Sequence, residues 1–548
     1  MKRPVFNLFI LIGAVVILFA GLAMVLIIAP GVKIFDIQYI RSSESAYAKT
    51  YTASAESESG YKTIEINGLT TDINIKFVQA QNVYISYHQH FSGFTRTKID
   101  SPELFAEEVS DTLKITVREY ESFVYGSSDK GDGLYVEIPI YFAGKLVVTA
   151  NYSNIYFSGL YGEVDTVSVT TKNKVVFGDK FKTNNLILDV KQKDIVLGSD
   201  AYINKSIEMK SSRASLTVYN EVGENLIYTS SYGHLNFLKV NGNATVNTRH
   251  GKILGIDDKL PYVLGDADMY SGGGITLANV YGNAKLSSNS GDIVFGNKNE
   301  SLNSESLVIS SKSGDVTIIG EINSEDAKIS TTHGDIAVGR IQKANISSTS
   351  GDISIGTIYE LELNTKSGDV YINTLSSKAT IKTTKGDVKL SALDGGEVGD
   401  ADITTTSGDV SIYNPIGKTY NVSTKSGDVN FFGNNEINPE VSIIASKTSD
   451  VYMTDVTGKT TVTTNGKVNI GISQMTAPIV ITAKNKDVNI TVLEDEEVYY
   501  NLSSNKKDIL IEGIEVNAKS FSNTSDNYAN LTITATTGWG QIIIVKSK

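Results

Sequence analysis

Apolar and polar residues alternate strictly over most of the chain. After a recurring Gly-Asp pair, two apolar residues flank one polar residue, as in Ile353-Ser354-Ile355 and Val370-Tyr371-Ile372. Before the pair, the alternation is Ala344-x-Ile346-x-Ser348 and similar runs. A period of two with many β-branched residues indicates half-buried strands, not helices. The pattern predicts that Ile353 and Val370 point into the protein, and that Ser354 and Tyr371 point into water.

The Gly-Asp pair returns at a period close to twenty residues. Successive aspartates are separated by 20, 17, 17, 18, 22 and 19 residues. They are Asp315, Asp335, Asp352, Asp369, Asp387, Asp409 and Asp428. Such a period is typical of a solenoid, in which each repeat adds one coil. With weaker copies on both sides, the sequence predicts an all-β fold: a long single-stranded β-solenoid (β-helix) of about nineteen coils, about 90 Å long at ~4.8 Å per coil. We expect a right-handed solenoid.

Each coil is predicted to contain two strands that meet at the Gly-Asp corner. Glycine at the corner suits a positive φ. The adjacent aspartate can accept a hydrogen bond from a nearby backbone N–H. Ala, Ser and Thr recur at two inner positions of each coil, and these small residues predict a narrow interior.

The N-terminus carries a membrane-anchor pattern. The run from Val5 to Ala29 is apolar except for Asn7, which is long enough to cross a hydrocarbon core of about 30 Å. Lys2 and Arg3 favour a cytoplasmic N-terminus. The alternative is a cleaved signal peptide, although no clear small-x-small cleavage site precedes Pro30. In either case the remainder of the chain is predicted to be exported, and the anchor predicts a single-pass protein of the cell membrane.

The tight period is confined to the middle of the chain. Strand patterns without that period occupy residues 61–150, where Pro102–Val109 also has the composition of a short helix. The only tryptophan, Trp539, lies beyond the last repeat. The predicted organisation is a cytoplasmic tip and transmembrane anchor (1–30), a polar spacer (31–60), a strand-rich lead-in and N-terminal cap (61–150), the solenoid repeats (151–515) and a C-terminal cap (516–548).

Composition excludes several classes of function. The net charge is −12, whereas nucleic-acid binding needs a basic face against phosphate. The chain has no cysteine, so it has no disulfide, thiolate metal site or cysteine nucleophile. We therefore expect no nucleic-acid partner.

The repeat phrase resembles that of a known family. Many copies of Thr-x-Ser-Gly-Asp-[Val/Ile]-x-[Ile/Val], the anchored N-terminus and the lead-in that closes near Ile138-Pro139 are similar to the bacterial putative-adhesin family. That family is a domain-of-unknown-function group of β-solenoids, and some members are carried by cell-envelope stress operons. The resemblance covers about residues 60 to 515. It implies a fold and a location, but it offers no catalytic residues.

The aspartate column is the first candidate site. Stacked in register, the seven corner aspartates would lie about 5 Å apart and repel one another. One way to offset this repulsion is a bound calcium ion, which prefers carboxylate and carbonyl oxygens. The other is interleaving with nearby lysines, which are Lys312, Lys366, Lys385 and Lys425. The nine-residue Gly-rich calcium repeat is absent, so we expect solvated turn aspartates before calcium ligands.

Histidine and tyrosine offer weaker candidates. His88 and His90 share one face of a strand, where a metal needs further ligands that the sequence does not supply. Tyrosines cluster at Tyr152, Tyr156 and Tyr161, and again at Tyr228 and Tyr232. Exposed rings can stack on sugars, but tyrosine also packs well in strands. No cluster of the kind that catalysis needs stands out, so we expect no enzyme activity and no cofactor.

These observations predict a membrane-anchored, surface-exposed, non-catalytic β-solenoid that acts in adhesion or in interactions at the cell envelope. Its partners would be the membrane, through the N-terminal helix, and a cell-wall or host glycan or a surface protein. The alternative is an envelope-stress accessory that regulates through a membrane partner. A third interpretation is a structural element that self-associates end to end.

Overall fold

The computed structural model describes most of the chain. The described residues are 15–19, 33–34, 37–51, 60–68, 70–95, 102–119, 122–127, 132–159, 164–302, 304–324, 326–391, 396–433, 439–445, 449–493, 499–506, 508–511, 514–516, 519–523 and 532–547. The chain divides into two compact units, Met1–Lys259 and Leu260–Lys548. Both units are built from β-strands.

The first unit contains strands β1 to β21. They are β1 (Lys33–Ile34), β2 (Ile37–Tyr51), β3 (Thr63–Gly68), β4 (Ile73–Val78), β5 (Val83–Thr95), β6 (Glu103–Val109), β7 (Thr112–Arg118), β8 (Ser122–Ser127), β9 (Gly133–Pro139), β10 (Lys145–Ala150), β11 (Ile155–Gly159), β12 (Thr166–Thr171), β13 (Val175–Phe177), β14 (Lys182–Val190), β15 (Ile195–Leu197), β16 (Tyr202–Ser211), β17 (Leu216–Val222), β18 (Leu226–Ser230), β19 (Leu235–Val240), β20 (Ala244–Thr248) and β21 (Ile253–Leu254).

The second unit contains strands β22 to β50. They are β22 (Tyr262–Val263), β23 (Ala267–Ser271), β24 (Ile275–Leu277), β25 (Asn279–Val280), β26 (Ala284–Ser288), β27 (Ile293–Leu302), β28 (Leu307–Ser311), β29 (Val316–Ile322), β30 (Ala327–Thr331), β31 (Ile336–Ser350), β32 (Ile353–Ser367), β33 (Val370–Lys385), β34 (Val388–Leu390), β35 (Val398–Thr405), β36 (Val410–Tyr413), β37 (Thr419–Thr424), β38 (Val429–Phe432), β39 (Glu440–Ala445), β40 (Val451–Val456), β41 (Thr460–Thr464), β42 (Val468–Ile472), β43 (Ile479–Ala483), β44 (Val488–Leu493), β45 (Tyr499–Ser504), β46 (Ile509–Ile511), β47 (Ile514–Val516), β48 (Ser520–Ser522), β49 (Thr532–Thr537) and β50 (Ile542–Ser547).

Consecutive coils pair in parallel and in register, as the repeat predicts. In the second unit, Ile336 of β31 lies opposite Ile353 of β32, which lies opposite Val370 of β33. These three residues stack along the inside of the coils and are at most 1% exposed. The outward neighbour Tyr371 is 42% exposed, and Ser354 is also exposed. The predicted phase of inward and outward residues is therefore confirmed.

The coils at the N-terminal end do not follow the order of the sequence. Strand β3 pairs in parallel with β10 on one side and with β7 on the other, so it lies between two strands that come later in the chain. Strand β4 likewise lies between β11 and β9. Beyond them, β6 and β5 pair antiparallel with β7 and β9. The pair of strands β3 and β4, which we call the first β-arch, therefore lies inside the stack, between the coil of β7 and β9 and the coil of β10 and β11.

The C-terminal end has the same kind of arrangement. Strand β49 lies between β43 and β45, and β50 lies between β44 and β46, all in parallel. Strands β48 and β47 then pair antiparallel with β45 and β46. The last β-arch of the chain is thus inserted between two coils that precede it in sequence.

Three sequence-based predictions need correction. The solenoid has about 16 turns, not nineteen. Pro102–Val109 is not a helix, since Glu103–Val109 is strand β6. The region predicted as a polar spacer contains β2, which pairs with β5 along most of its length.

The predicted anchor falls mainly outside the described residues. Of Val5–Ala29, only residues 15–19 are described, and they form a short helical stretch. Among the residues that the structure describes, no helix has both the length and the apolar character needed to span a membrane.

Candidate binding surface

The corner aspartates form a ladder with the backbone. The N–H of Asp387 donates to Oδ1 of Asp369, and the N–H of Asp369 donates to Oδ1 of Asp352. The same contact joins each aspartate to its predecessor from Asp292 to Asp450, with N–O distances of 2.7–2.9 Å. Each carboxylate therefore receives a charge-assisted hydrogen bond from the next coil. This hydrogen bond offsets the electrostatic repulsion between the stacked carboxylates.

Among the described residues, three of the four predicted lysines do not interleave with the corner carboxylates. In the described part of the chain, Lys312, Lys366 and Lys385 make no ion pair with the corner carboxylates. No group of three or more His, Asp or Glu side chains among the described residues is arranged to hold a metal ion. Calcium at Asp315, Asp335, Asp352, Asp369, Asp387, Asp409 and Asp428 stays the less favoured alternative to solvated turn aspartates.

Close stacking explains the corner glycines better than positive φ does. Of the glycines in the seven corners, only Gly351 and Gly368 have a positive φ, 128° and 122°. A Cβ on Gly386 would nevertheless collide with the carbonyl of Gly368. The same clash recurs from corner to corner, so the missing side chain lets successive coils approach.

At some of the corners a buried hydroxyl accepts the N–H of the corner glycine. Oγ1 of Thr405 accepts the N–H of Gly408 at 3.1 Å, and Oγ1 of Thr424 accepts the N–H of Gly427 at 3.0 Å. Both threonines are at most 3% exposed, so the bond satisfies a hydroxyl that would otherwise be costly to bury. The repeat phrase is thus accounted for by the fold itself.

The tyrosine clusters divide into packing and surface residues. Tyr228 is fully buried, and its hydroxyl lies within hydrogen-bond distance of the carbonyls of Ala214 and His234. Burial raises the pKa of Tyr228 well above its ordinary value. Tyr232 and Tyr152 are 57% and 50% exposed. These two are the most exposed members of the clusters, Tyr156 is half-buried, and Tyr161 lies outside the described residues.

Those two exposed rings already have partners. The ring of Tyr232 stacks on His250 at 4.8 Å between centroids. The ammonium of Lys172 lies 4.7 Å from the centroid of Tyr152, in a cation–π contact. Each partner covers part of a ring face that a sugar would need.

The histidines also serve the fold locally. Nδ1 of His88 lies 2.9 Å from Oδ1 of Asp132. His234 takes the place of a corner aspartate, because its Nδ1 accepts the N–H of Lys252 at 2.9 Å. These contacts account for two of the five histidines without a metal.

A stack of outward aromatic side chains was not predicted from the sequence. Tyr413 and Phe432 stack with centroids 4.4 Å apart and planes 9° apart, and Tyr452 lies 5.8 Å beyond Phe432. Lys389 lies 5.9 Å from the centroid of Tyr413. Tyr413 and Phe432 therefore cover one face of each other, whereas Tyr452 is tilted by 56° to Phe432. Only the register of β36, β38 and β40 brings these residues together.

The strongest candidate for a binding site is an open groove on strands β30 to β33, which we call the polar groove. It has a volume of about 390 Å³, at the low end of the ~300–1,000 Å³ typical of small-molecule sites. Its floor is the register column Ala327, Ala344 and Leu361, all buried. Outward side chains on either side of this column form the two walls.

Each wall is a register column of polar residues. One wall is Asp326, Lys343, Glu360 and Lys378, and the other is Lys328, Asn345, Glu362 and Thr380.

Ion pairs and an amide contact link the wall residues to one another. Lys343 and Lys378 flank Glu360 at 3.3 and 3.6 Å. The hydrogen bond from Lys343, aided by the charge of Lys378, holds the pKa of Glu360 below its ordinary value. Nδ2 of Asn345 donates to Glu362 at 3.0 Å.

Comparison with known proteins places the middle of the chain in context. Residues 298–442 match the family model Toastrack DUF4097. The resemblance to a domain-of-unknown-function family is thereby confirmed for these residues, which include the polar groove. None of the curated proteins matches the sequence.

Two solved structures resemble parts of the chain. One is a "putative cell adhesion protein" from Clostridium sporogenes ATCC 15579, at 7% identity and a TM-score of 0.21, covering 41% of this chain and 99% of that one. The other is a "putative adhesin" from Parabacteroides merdae ATCC 43184, at 10% identity and a TM-score of 0.16, covering 66% of this chain and 96% of that one. Scores this low establish no shared fold.

Proposed function

We propose that this chain is a non-catalytic, adhesin-like β-solenoid that binds a repetitive polymer of the cell envelope or of a host surface. One observation carries the proposal: outward polar side chains lie in register from coil to coil, as in the column Lys328, Asn345, Glu362 and Thr380. Neighbouring coils lie about 4.8 Å apart. The surface therefore offers many closely spaced, individually weak contacts, which together give avidity for a repeating partner.

We further propose that the chain is held in the cell membrane by one N-terminal helix, with the N-terminus in the cytoplasm and the remainder outside. The apolar run Val5–Ala29 and the basic residues Lys2 and Arg3 support this topology. Protease added to intact cells, or to spheroplasts where an outer membrane exists, should then degrade the exported part. Full protection of residues 60–548 would contradict the topology.

The adhesive function is tested with the purified full chain in mild detergent. Its binding to isolated cell-wall sacculi, to immobilised host matrix proteins and to itself is measured over a range of concentrations. We expect saturable binding to at least one polymer.

A coil deletion provides the matched control. Val410 of β36 pairs with Val429 of β38, and Ala401 pairs with Tyr420, so deleting residues 410–428 removes one turn and keeps the register. Avidity predicts weaker adhesion without loss of folding. Absence of binding, together with a stress phenotype that residues 1–60 reproduce alone, would contradict adhesion and favour a regulatory role.

A further inference from the structure

The polar groove runs along the stacking direction, across four strands. Its two walls occupy the positions before and after the floor column, so they are separated by about 6.6 Å, two residues at ~3.3 Å each. Four coils at ~4.8 Å spacing give a length of about 14 Å. This is an elongated slot for a chain-like ligand and not a compact pocket.

The backbone of the groove is paired on its inner strands. Strand β31 pairs in parallel with β30 and β32, and β32 pairs with β33. Their N–H and C=O groups are therefore used between strands, and an extended peptide has no edge to join there. Recognition in the groove must come from side chains.

The charges of the walls cancel. Lys328, Lys343 and Lys378 balance Asp326, Glu360 and Glu362, which gives a net charge of zero. A polyanion or a polycation would meet as much repulsion as attraction, so electrostatics favours a neutral ligand.

The same side chains suit hydroxyl groups. Donors and acceptors alternate along both walls, and a hydroxyl can both donate and accept. The ion pair of Lys328 with Asp326, at 3.0 Å, is exposed on both sides, and such pairs contribute little stability. Ligand hydroxyls can therefore replace this contact at small cost, while the side chains of Ala344 and Leu361 face the coil interior and leave recognition to the walls.

We propose that the polar groove binds a segment of a neutral, hydroxyl-rich polysaccharide lying along the stacking direction. This inference rests on the proposed adhesive function and names the chemical class of its polymer. Among the described residues, no aromatic side chain lines the groove, so binding of a single segment is weak, and adhesion gains strength from several contacts along one chain.

The test uses the full chain and defined hexasaccharides. The neutral probe is the hexamer of β-1,4-linked N-acetylglucosamine, with cello- and mannohexaose as further neutral probes. Hyaluronan hexasaccharide is the anionic control, and the fully deacetylated glucosamine hexamer is the cationic control. We expect binding of at least one neutral probe in preference to both charged ones.

A pair of double variants locates the binding. Asn345→Ala with Glu362→Ala removes an adjacent amide and carboxylate from the groove, and we expect about a tenfold loss of affinity. Asn204→Ala with Glu224→Ala removes an amide and a carboxylate from neighbouring coils of the first unit, away from the groove, and we expect no change. All four residues are exposed, and unchanged thermal melting verifies that both proteins fold.

The outcomes separate this inference from the adhesive function. Equal binding by both double variants, or preference for a charged probe, overturns the groove inference. Adhesion to sacculi without binding of any neutral probe also overturns it, but the adhesive function then stands. Absence of adhesion to every polymer overturns both.

Discussion

At the scale of single residues, the corner aspartates connect neighbouring coils. Oδ1 of Asp369 accepts the N–H of Asp387 at 2.9 Å. Asp369→Ala removes this acceptor, and we expect a loss of about 1 kcal/mol in the free energy of unfolding. Asp369→Asn keeps an oxygen in place and should lose about half as much. Urea denaturation followed by circular dichroism measures both, and equal stability of all three proteins would contradict the ladder.

A glycine pair tests whether close approach explains the corners. Ala at Gly386 would place a Cβ against the carbonyl of Gly368, although Gly386 has no positive φ. We expect Gly386→Ala to destabilise the protein by about 1–3 kcal/mol through overpacking. A Cβ on Gly198 would meet no atom within 4 Å, so Gly198→Ala should be neutral. Similar unfolding midpoints for the two variants would show that contact between corners is not the constraint.

The sequence predicted the direction of side chains better than their partners. Alternation alone places Ile353 inside and Ser354 outside, because strand geometry is local. The partner of Asp369 belongs to another coil, so its hydrogen bond to Asp387 depends on register. Proximity in sequence likewise suggested that lysines are the partners of the corner carboxylates. In the structure, the backbone N–H of the next coil donates to each of these carboxylates.

At the scale of elements, tertiary pairing overrides local preference. Glu103–Val109 contains good helix formers, yet it forms β6 and pairs antiparallel with β7. Leu104 becomes buried as a result, and that contact decides the conformation. The polar groove is similarly beyond local prediction, since its walls come from four strands.

The interlocked ends also arise from pairing that no local pattern reveals. At both ends, the outermost parallel strands are covered by antiparallel ones, and β47 and β48 are only three residues long. Short edge strands limit chance pairing with other chains. The order of strands at each end is therefore part of how the edge is protected.

The inserted C-terminal arch gives a prediction. Ile533, Ala535, Ile542 and Ile544 of this arch are fully buried between neighbouring coils. Deleting residues 532–548 should therefore detach strands β45 and β46 and expose residues 499–511 to protease. A synthetic peptide of residues 532–547 added in excess should restore protection. Unchanged protease resistance of the truncated chain would contradict the insertion.

At the scale of the whole molecule, parallel stacking makes the coils depend mainly on their neighbours. Ile353 lies in β32 and is paired with Ile336 and Val370 across the two adjacent ladders. Ile353→Asp buries an uncompensated charge, and we expect a local cost of several kcal/mol. Ser354→Asp places the same group in water and should change stability by less than about 0.5 kcal/mol.

Hydrogen exchange distinguishes local from global damage within the second unit. In Ile353→Asp, amides of β31, β32 and β33 should exchange fastest, and the effect should fade with each further coil. This gradient follows because each coil is stabilised chiefly by its two neighbours. Uniform acceleration over Leu260–Lys548 would mean that this unit unfolds as one cooperative body, and equal exchange in the Ile353→Asp and Ser354→Asp variants would contradict the assigned interior.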